Sequence, residues 1–153
     1  MQTLEAVLAE HAFFRDLPHD DLQLIAACGS NVRFPGGARL FHEGDPADRF
    51  FLIRHGKVAL EIGSPERGRV VIQTLGAGDL LGWSWLVPPY RMSCDARAVE
   101  LTRATAFDGA CIRRKCEADP RLGYELLKRF AQVIGQRLRA TRLQLLDVYG
   151  TRG

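Results

Sequence analysis

Hydrophobic positions along the chain follow a helical spacing first and a strand spacing afterwards. Apolar residues between Leu4 and Ile25 recur at roughly helical intervals, which predicts two short N-terminal helices. Short apolar runs then succeed one another from Val32 to about Phe107. Turn-forming residues separate these runs at Gly36-Gly37, Gly44-Asp45, His55-Gly56, Ser64 to Gly68 and Gly76 to Gly78. Breaks at such regular intervals predict a closed or wrapped sheet.

The last third of the chain returns to a helical pattern. Asp108 can cap a helix that we expect to run through Cys116. Asp119 and Pro120 form a cap followed by a first-turn proline, and they predict a long helix that ends at about Val148. We therefore expect a mainly β protein with flanking helices.

Size and composition favour one domain. With 153 residues and 46% hydrophobic content, the chain can bury one substantial core. We expect a single domain over residues 1–153, with helices over 1–29, a β-roll over 30–107 and helices over 108–150. The net charge of +3 is too small to require a polyanionic partner.

The sequence contains neither a membrane segment nor a secretion signal. No apolar run approaches the length that crosses a bilayer, and the N-terminus lacks the basic, apolar and small-residue order of a signal peptide. We therefore expect a cytoplasmic protein. The four cysteines, Cys28, Cys94, Cys111 and Cys116, include no pair with a two-residue gap, and we expect them to be buried reduced thiols.

The segment from Pro35 to Val58 carries an ordered set of turn and strand residues. Gly44-Asp45 reverses the chain, and His55-Gly56-Lys57 is predicted to be a tight hairpin. The segment resembles the cyclic-nucleotide-binding domain family, whose pattern here is Gly-Asp-x-Ala-Asp-x-aromatic-aromatic-Leu-Ile-x-x-Gly-x-Val. The matching residues are Gly44, Asp45, Ala47, Asp48, Phe50, Phe51, Leu52, Ile53, Gly56 and Val58. The resemblance implies a double-stranded β-helix, or jelly roll, with a long C-terminal helix.

The same resemblance implies a ligand site in residues 78 to 98. The family binds a cyclic phosphate in a cassette that begins Gly-Glu-x-x-Gly-Glu and ends in a strand reading Arg-x-Ala-x-x-x-Ala. Gly82-Trp83-Ser84 is expected to open a short helix whose free amides form an anion cradle. The candidate ligand-binding residues are Gly78, Asp79, Leu81, Gly82, Trp83, Ser84, Arg91, Met92 and Ser93.

Two side chains of this cassette depart from the family. Trp83 replaces the glutamate that accepts from the ribose hydroxyl, and an indole can only donate. Met92 stands where the phosphate-binding arginine is expected, and Arg91 is one residue early. Because strand side chains alternate faces, Arg91 should point away from the pocket unless Pro88-Pro89 shifts the register. We therefore expect cyclic AMP and cyclic GMP to bind weakly or not at all, and the ligand stays unidentified.

The run from Trp83 to Arg91 is rich in aromatic residues and proline for a loop. One interpretation is a shallow platform on which a flat ligand or a partner's side chain stacks. The other is that Trp83 and Trp85 fill the empty pocket as core residues. The sequence leaves both open.

The long helix has more apolar residues than one buried stripe requires. One face can lie on the roll, and the other has a spacing typical of a coiled coil with a second copy. We favour a homodimer with Phe130, Ile134 and Leu138 near the seam. The alternative is that the extra apolar residues pack on the N-terminal helices.

Bacterial transcription regulators of this family follow the long helix with a helix-turn-helix domain. This chain stops at Gly153, so we expect no recognition helix and no sequence-specific DNA binding. The arginines of the long helix are then interpreted as its solvated side.

Other chemistry finds little support in the sequence. Pro35-Gly36 and His42 imitate a cupin metal motif, but Gly44 stands where its second histidine would be, and no histidine follows His55. The sequence also lacks a nucleophile elbow and a phosphate-binding P-loop. We therefore predict a non-enzymatic protein.

Three hypotheses from different classes follow. The first is a dimeric small-molecule sensor in which ligand occupancy moves the helix at 108–116 against the long helix, as the resemblance implies. The second is a protein-interaction module with a filled pocket. The third is a cupin-like metalloenzyme.

Overall fold

The computed structural model describes residues 3–150, with side chains described through residue 147. Four helices are present: α1 Leu4–Glu10, α2 His19–Ala26, α3 Gly109–Ala118 and α4 Pro120–Gly150. The strands are β1 Gly29–Phe34, β2 Arg39–Phe41, β3 Arg49–His55, β4 Lys57–Ser64, β5 Gly68–Gly76, β6 Leu80–Leu81, β7 Asp95–Ala98 and β8 Thr102–Asp108. This order confirms the predicted β-roll with flanking helices and a long C-terminal helix.

Two four-stranded antiparallel sheets form the roll. Their strand orders are β1-β8-β3-β6 and β2-β7-β4-β5. The side chains between the sheets form the roll core, which consists of Leu40, Phe41, Ala47, Phe51, Ile53, Val58, Leu60, Leu75, Leu81, Met92, Cys94, Ala96, Ala98, Ala104 and Ala106. Four of these residues are buried alanines on β7 and β8, Ala96, Ala98, Ala104 and Ala106.

The turn at Gly56 differs from its predicted form. Strand β3 pairs with β6 and β8, whereas β4 pairs with β5 and β7. The segment 55–57 therefore carries the chain from one sheet to the other, and the predicted hairpin is wrong. Gly56 has a φ of +103°, and a Cβ there would lie 2.5 Å from the carbonyl oxygen of Leu101. Only glycine fits this crossing.

A second core lies between the β1-β8-β3-β6 sheet and the helices. It exists because β3 is buried on both faces: Phe51 and Ile53 enter the roll core, while Phe50 and Leu52 face the helices. We call this cluster the helix-side core. Its largest fully buried side chains are Phe14, Phe50, Trp85, Phe107 and Phe130.

Helix α4 is anchored by its first third. The carboxylate of Asp119 accepts hydrogen bonds from the backbone N–H groups of Arg121 and Leu122, which begins the helix as predicted. Leu122, Leu126 and Phe130 follow at four-residue steps and are at most 2% exposed. Beyond Phe130 the side chains become half-buried and then exposed.

A disulfide bond joins Cys28 to Cys111 across 83 residues of sequence. The prediction that these two cysteines are reduced thiols is therefore wrong, whereas Cys94 and Cys116 are free. Cys28 ends the α2–β1 connection, and Cys111 lies in the first turn of α3. The N–H of Asp108 donates to the carbonyl of Cys28 at 2.9 Å, so strand pairing brings the two thiols together. No sequence spacing reveals such a contact.

Candidate functional site

The predicted ligand cassette begins at a tight turn between β5 and β6. The N–H of Gly78 donates to the carbonyl of Ile53, and the carboxylate of Asp79 accepts from the N–H of Gly76 at 2.8 Å. His11 Nε2 lies 2.6 Å from the Gly78 carbonyl oxygen. The turn is thereby fixed between the roll and the segment that follows α1.

No helix forms after Gly82, contrary to prediction. Residues 82–90 contain turns and bends, with two backbone hydrogen bonds, from the Leu86 N–H to the Trp83 carbonyl and from the Tyr90 N–H to the Val87 carbonyl. Pro88 and Pro89 explain this, because a proline lacks the amide donor and restricts the residue before it. The predicted anion cradle of helical amides at Gly82-Trp83-Ser84 is therefore absent from this part of the structure.

Trp85 is a core residue and does not form an exposed platform. It is 0% exposed, stacks on Phe50 with ring centroids 4.8 Å apart, and meets Phe130 edge-on at 5.4 Å. Trp83 is half-buried and packs on the same helix-side core. The two tryptophans thus fill the space under the helices, outside the roll core. Ser84 is buried beside them.

Met92, and not Arg91, points into the roll. Met92 is 5% exposed and belongs to the roll core, held by backbone bonds with Gly44 and Asp45. Arg91 is exposed, and its Nη1 donates to the Gly44 carbonyl at 3.3 Å. The expectation from strand alternation is confirmed at this position. Ser93 is exposed on the same side as Arg91.

The exposed end of the cassette is a small surface of its own. Val87 and Tyr90 are 41% and 39% exposed. The guanidinium of Arg113 lies 4.8 Å from the centre of the Tyr90 ring, and its Nη1 donates to the Trp85 carbonyl. Helix α3 therefore contacts the cassette directly, so a movement of the cassette would change the contacts of α3.

A cavity of about 610 Å³ lies between α4, β5 and the segment 11–16. Of the predicted ligand residues, it contains Gly78 and Asp79 but none of the other seven. Its remaining polar lining includes Gln73, Gln132, Gln136 and Arg137. Sequence reasoning missed the α4 residues, because Arg137 was interpreted as part of a solvated helix face. Met92 lines a separate cavity of about 240 Å³.

Arg137 is the notable charge in the larger cavity. Its side chain is half-buried, and its guanidinium makes no hydrogen bond or ion pair with any residue that the structure describes. Burial lowers the pKa of Arg137, and the negative charge of Asp79 opposes that shift. Burial likewise raises the pKa of the Cys94 thiol, which therefore stays protonated at neutral pH.

Two other cations of this cavity are already engaged, and a third, Arg15, is exposed. Lys128 Nζ lies 3.2 Å from Glu125 Oε1, and Arg129 donates to the carbonyls of Phe13 and Arg15. Arg137 is thus a half-buried cation that makes no salt bridge within the described residues, and Asp79 is the carboxylate of this cavity whose charge acts on it.

The predicted dimer residues have unequal surroundings. Phe130 is 1% exposed and lies in the helix-side core of its own chain, so its predicted place at a seam is wrong. Ile134 is half-buried, and Leu138 is 53% exposed. Four-residue steps could not separate these cases, because the faces of the helix turn relative to the roll along its length.

The residues that imitate a cupin metal motif are not brought together within the described part of the chain. They contain no group of three or more His, Cys, Asp or Glu side chains that could hold a metal ion. His42 Nδ1 lies 4.0 Å from Asp95 on the β2-β7-β4-β5 sheet, whereas His55 lies among arginines on the other sheet. None of the described helices is long and apolar enough to span a membrane.

Comparisons with known proteins agree with this geometry. Residues 31–119 match the profile of the cyclic nucleotide-binding domain. The chain is 26% identical over 148 residues to the CRP-like cAMP-activated global transcriptional regulator of Mycobacterium tuberculosis, covering 97% of this chain and 64% of that protein. It therefore spans less than two thirds of that regulator's length.

Two solved structures share the fold over most of the chain. A Geobacter metallireducens GS-15 protein assigned as a cyclic nucleotide-binding protein superposes with a TM-score of 0.80 at 29% identity, covering 90% of this chain and 99% of that chain. The catabolite activator protein of Thermus thermophilus superposes with a TM-score of 0.70 at 25% identity, covering 90% and 62% respectively.

Proposed function

Because the chain belongs to the cyclic nucleotide-binding domain family, we propose that it is a regulatory sensor module that binds a small anion between α4 and the roll. The observation that carries this proposal is Arg137, a half-buried cation without an ionic partner among the described residues, in a cavity of about 610 Å³. A cavity of this size is typical of small-molecule sites.

The cavity is suited to a ligand with both a charge and hydrogen-bonding groups. Arg137 can pair with a phosphate or carboxylate through its planar fork of donors. Gln73 from β5 and Gln132 and Gln136 from α4 offer amides that both donate and accept. A ligand held this way touches the helix and the roll at once.

A cyclic nucleotide in the family's own pose does not fit these residues well. Met92 cannot pair with a phosphate, and Trp83 cannot accept from a ribose hydroxyl. Hydrogen bonds to charged groups contribute roughly 1.5–3 kcal/mol each, so losing the arginine pair alone weakens binding by about tenfold or more. We therefore expect the anionic group of the ligand to contact Arg137 on α4, because Met92 replaces the cation that the family's cassette provides.

The signal would pass from the cavity to the helices. A ligand changes the populations of two arrangements of α4 on the roll only if it binds one arrangement more tightly than the other. The disulfide at Cys111 ties the start of α3 to β1, so the movement is expected in α4 beyond Phe130, where side chains become exposed.

We also propose that the module is a homodimer through α4. Five exposed or half-buried residues follow one another on this helix at the spacing of a coiled coil: Tyr124, Leu127, Ile134, Leu138 and Leu145. We call them the α4 stripe. They lie away from the buried Leu122, Leu126 and Phe130, so a partner copy can cover the α4 stripe while each chain keeps its own core.

Titration calorimetry with cyclic AMP, cyclic GMP, AMP and adenosine tests the sensor. We expect weak or undetectable binding of the cyclic nucleotides, and tighter binding of anions than of neutral adenosine. Arg137→Gln should reduce anion binding by about tenfold, whereas Arg139→Gln, an exposed neighbour on the same helix, should leave it unchanged. Low-micromolar cyclic AMP binding that survives Arg137→Gln would contradict this assignment.

The exposed cassette end supports a second candidate, a protein-interaction module. Val87 and Tyr90 present apolar surface beside Arg113, and such aromatic and arginine groups are enriched at interfaces. If this candidate is correct, no probe molecule raises the melting temperature, and Tyr90→Ala weakens a partner complex without changing stability.

A further inference from the structure

A row of cations crosses the outer face of the β1-β8-β3-β6 sheet. Arg33 on β1 lies directly opposite Arg103 on β8. Arg103 in turn lies opposite His55 on β3, where a bulge after Ile53 leaves Arg54 beside them. We call Arg33, Arg54 and Arg103 the arginine row. All three are exposed.

Among the described residues, the arginine row has no acidic counterpart. Its three guanidinium groups make no hydrogen bond or ion pair with any residue that the structure describes. They line a groove of about 470 Å³ whose other lining residues are Asn31, Val32, His55 and Ala104. No carboxylate lines this groove within the described part of the chain.

On the second sheet, in contrast, the arginines form salt bridges with carboxylates of the same chain. There, Asp95 lies 2.9 Å from Arg39 and 2.5 Å from Arg69, and Glu61 lies 3.2 Å from Arg97. Both carboxylates are buried between the arginines. Each arginine of that sheet face therefore has a fixed anion, and the arginine row has none.

This difference has an energetic consequence. Like charges directly opposite each other on neighbouring strands repel and destabilise the pair. Neighbouring strands lie about 4.8 Å apart, so the register holds the backbones of Arg33 and Arg103 close together and places both side chains on one face of the sheet. An anion bound across the row removes the repulsion and gains charge-assisted hydrogen bonds from the guanidinium forks.

We propose that the arginine row binds the oligophosphate group of a small molecule. The roughly 4.8 Å between neighbouring strands favours linked phosphates over the carboxylates of an acidic peptide. Side chains on one face of an extended peptide recur only every roughly 6.6 Å, which is wider than the distance between the strands that carry the arginines. The groove volume of about 470 Å³ also lies in the range of small-molecule sites. None of its residues lines the Arg137 cavity, so the two sites are separate.

Titration calorimetry with inorganic triphosphate tests this site. We expect the unmodified protein to bind it and Arg103→Gln to weaken binding by at least about tenfold. Arg67→Gln removes the same charge from the exposed turn between β4 and β5, and it should leave binding unchanged. Arg137→Gln should also leave it unchanged, which separates this site from the sensor cavity.

Thermal unfolding supplies an independent readout. Without triphosphate, Arg103→Gln should unfold at the same or a higher temperature, because it relieves repulsion; lost binding then cannot come from lost structure. Triphosphate should raise the melting temperature of the unmodified protein but not of Arg103→Gln. The proposal is overturned by an absence of triphosphate binding, by equal losses in Arg67→Gln and Arg103→Gln, or by binding of an oligonucleotide alone.

Discussion

Phe130 offers the sharpest test of how α4 is attached to the roll. Its ring is 1% exposed and lies 4.9 Å from Phe13, 5.2 Å from Phe50 and 5.4 Å from Trp85, measured between ring centroids. It therefore joins the N-terminal segment, the sheet, the cassette and α4 in one contact. Replacing it with alanine removes all three ring contacts at once.

The expected cost of Phe130→Ala follows from this burial. Truncating a buried phenylalanine costs about 3–5 kcal/mol, and each aromatic pair contributes roughly 0.5–1.5 kcal/mol beyond the buried area. Three pairs place Phe130→Ala in the upper half of that range. For a chain of this size, each kcal/mol lowers the melting temperature by about 2–4 °C, so the fall should be roughly 8–20 °C.

Urea unfolding at equilibrium measures this loss, with Leu143→Ala as the control. Leu143 is 59% exposed on the same helix, so its truncation should change stability by less than about 0.5 kcal/mol. The difference between Phe130→Ala and the unmodified protein should not vary over an approximately hundredfold range of protein concentration, because the lost contacts lie within one chain.

Two results would refute the reasoning about Phe130. A loss below about 1 kcal/mol would mean that the ring is not buried as described. A loss that grows on dilution would place Phe130 at an interface between copies, as the helical spacing had predicted.

Three other outcomes are expected. If the proposed dimer forms through the α4 stripe, Leu138→Arg should sediment as a monomer with a melting temperature close to that of the unmodified protein. An unmodified protein that is already monomeric at micromolar concentration would contradict this proposal. Cys28→Ser should lower the free energy of unfolding by up to about 4.5 kcal/mol, which is the chain-entropy value for a closed loop of 83 residues. A reductant should destabilise the unmodified protein by the same amount but leave the stability of Cys28→Ser unchanged. Gel shifts should show no sequence-selective DNA complex at physiological salt, and any weak complex should disappear steeply as salt rises.

The local structure of this protein was predictable because short stretches of sequence determine it. Turn residues such as Gly56 mark where strands end, since few other residues accept a positive φ. Asp119 and Pro120 mark where α4 begins. Alternation of side chains predicted Arg91 outside and Met92 inside the roll, and the structure has this arrangement although Met92 lies before β7 and not in a strand.

The tertiary structure alone decided which distant residues meet. Sheet pairing joined Cys28 to Cys111 and aligned Arg33 with Arg103, and neither pair has a signal in sequence spacing. The packing angle of α4 turned Phe130 inward and placed Arg137 over the cavity, although both lie on one apolar-looking helix. Periodicity specifies that a helix has a buried face, but the direction of that face depends on the surface it packs against, and here that surface is assembled from strands remote in sequence.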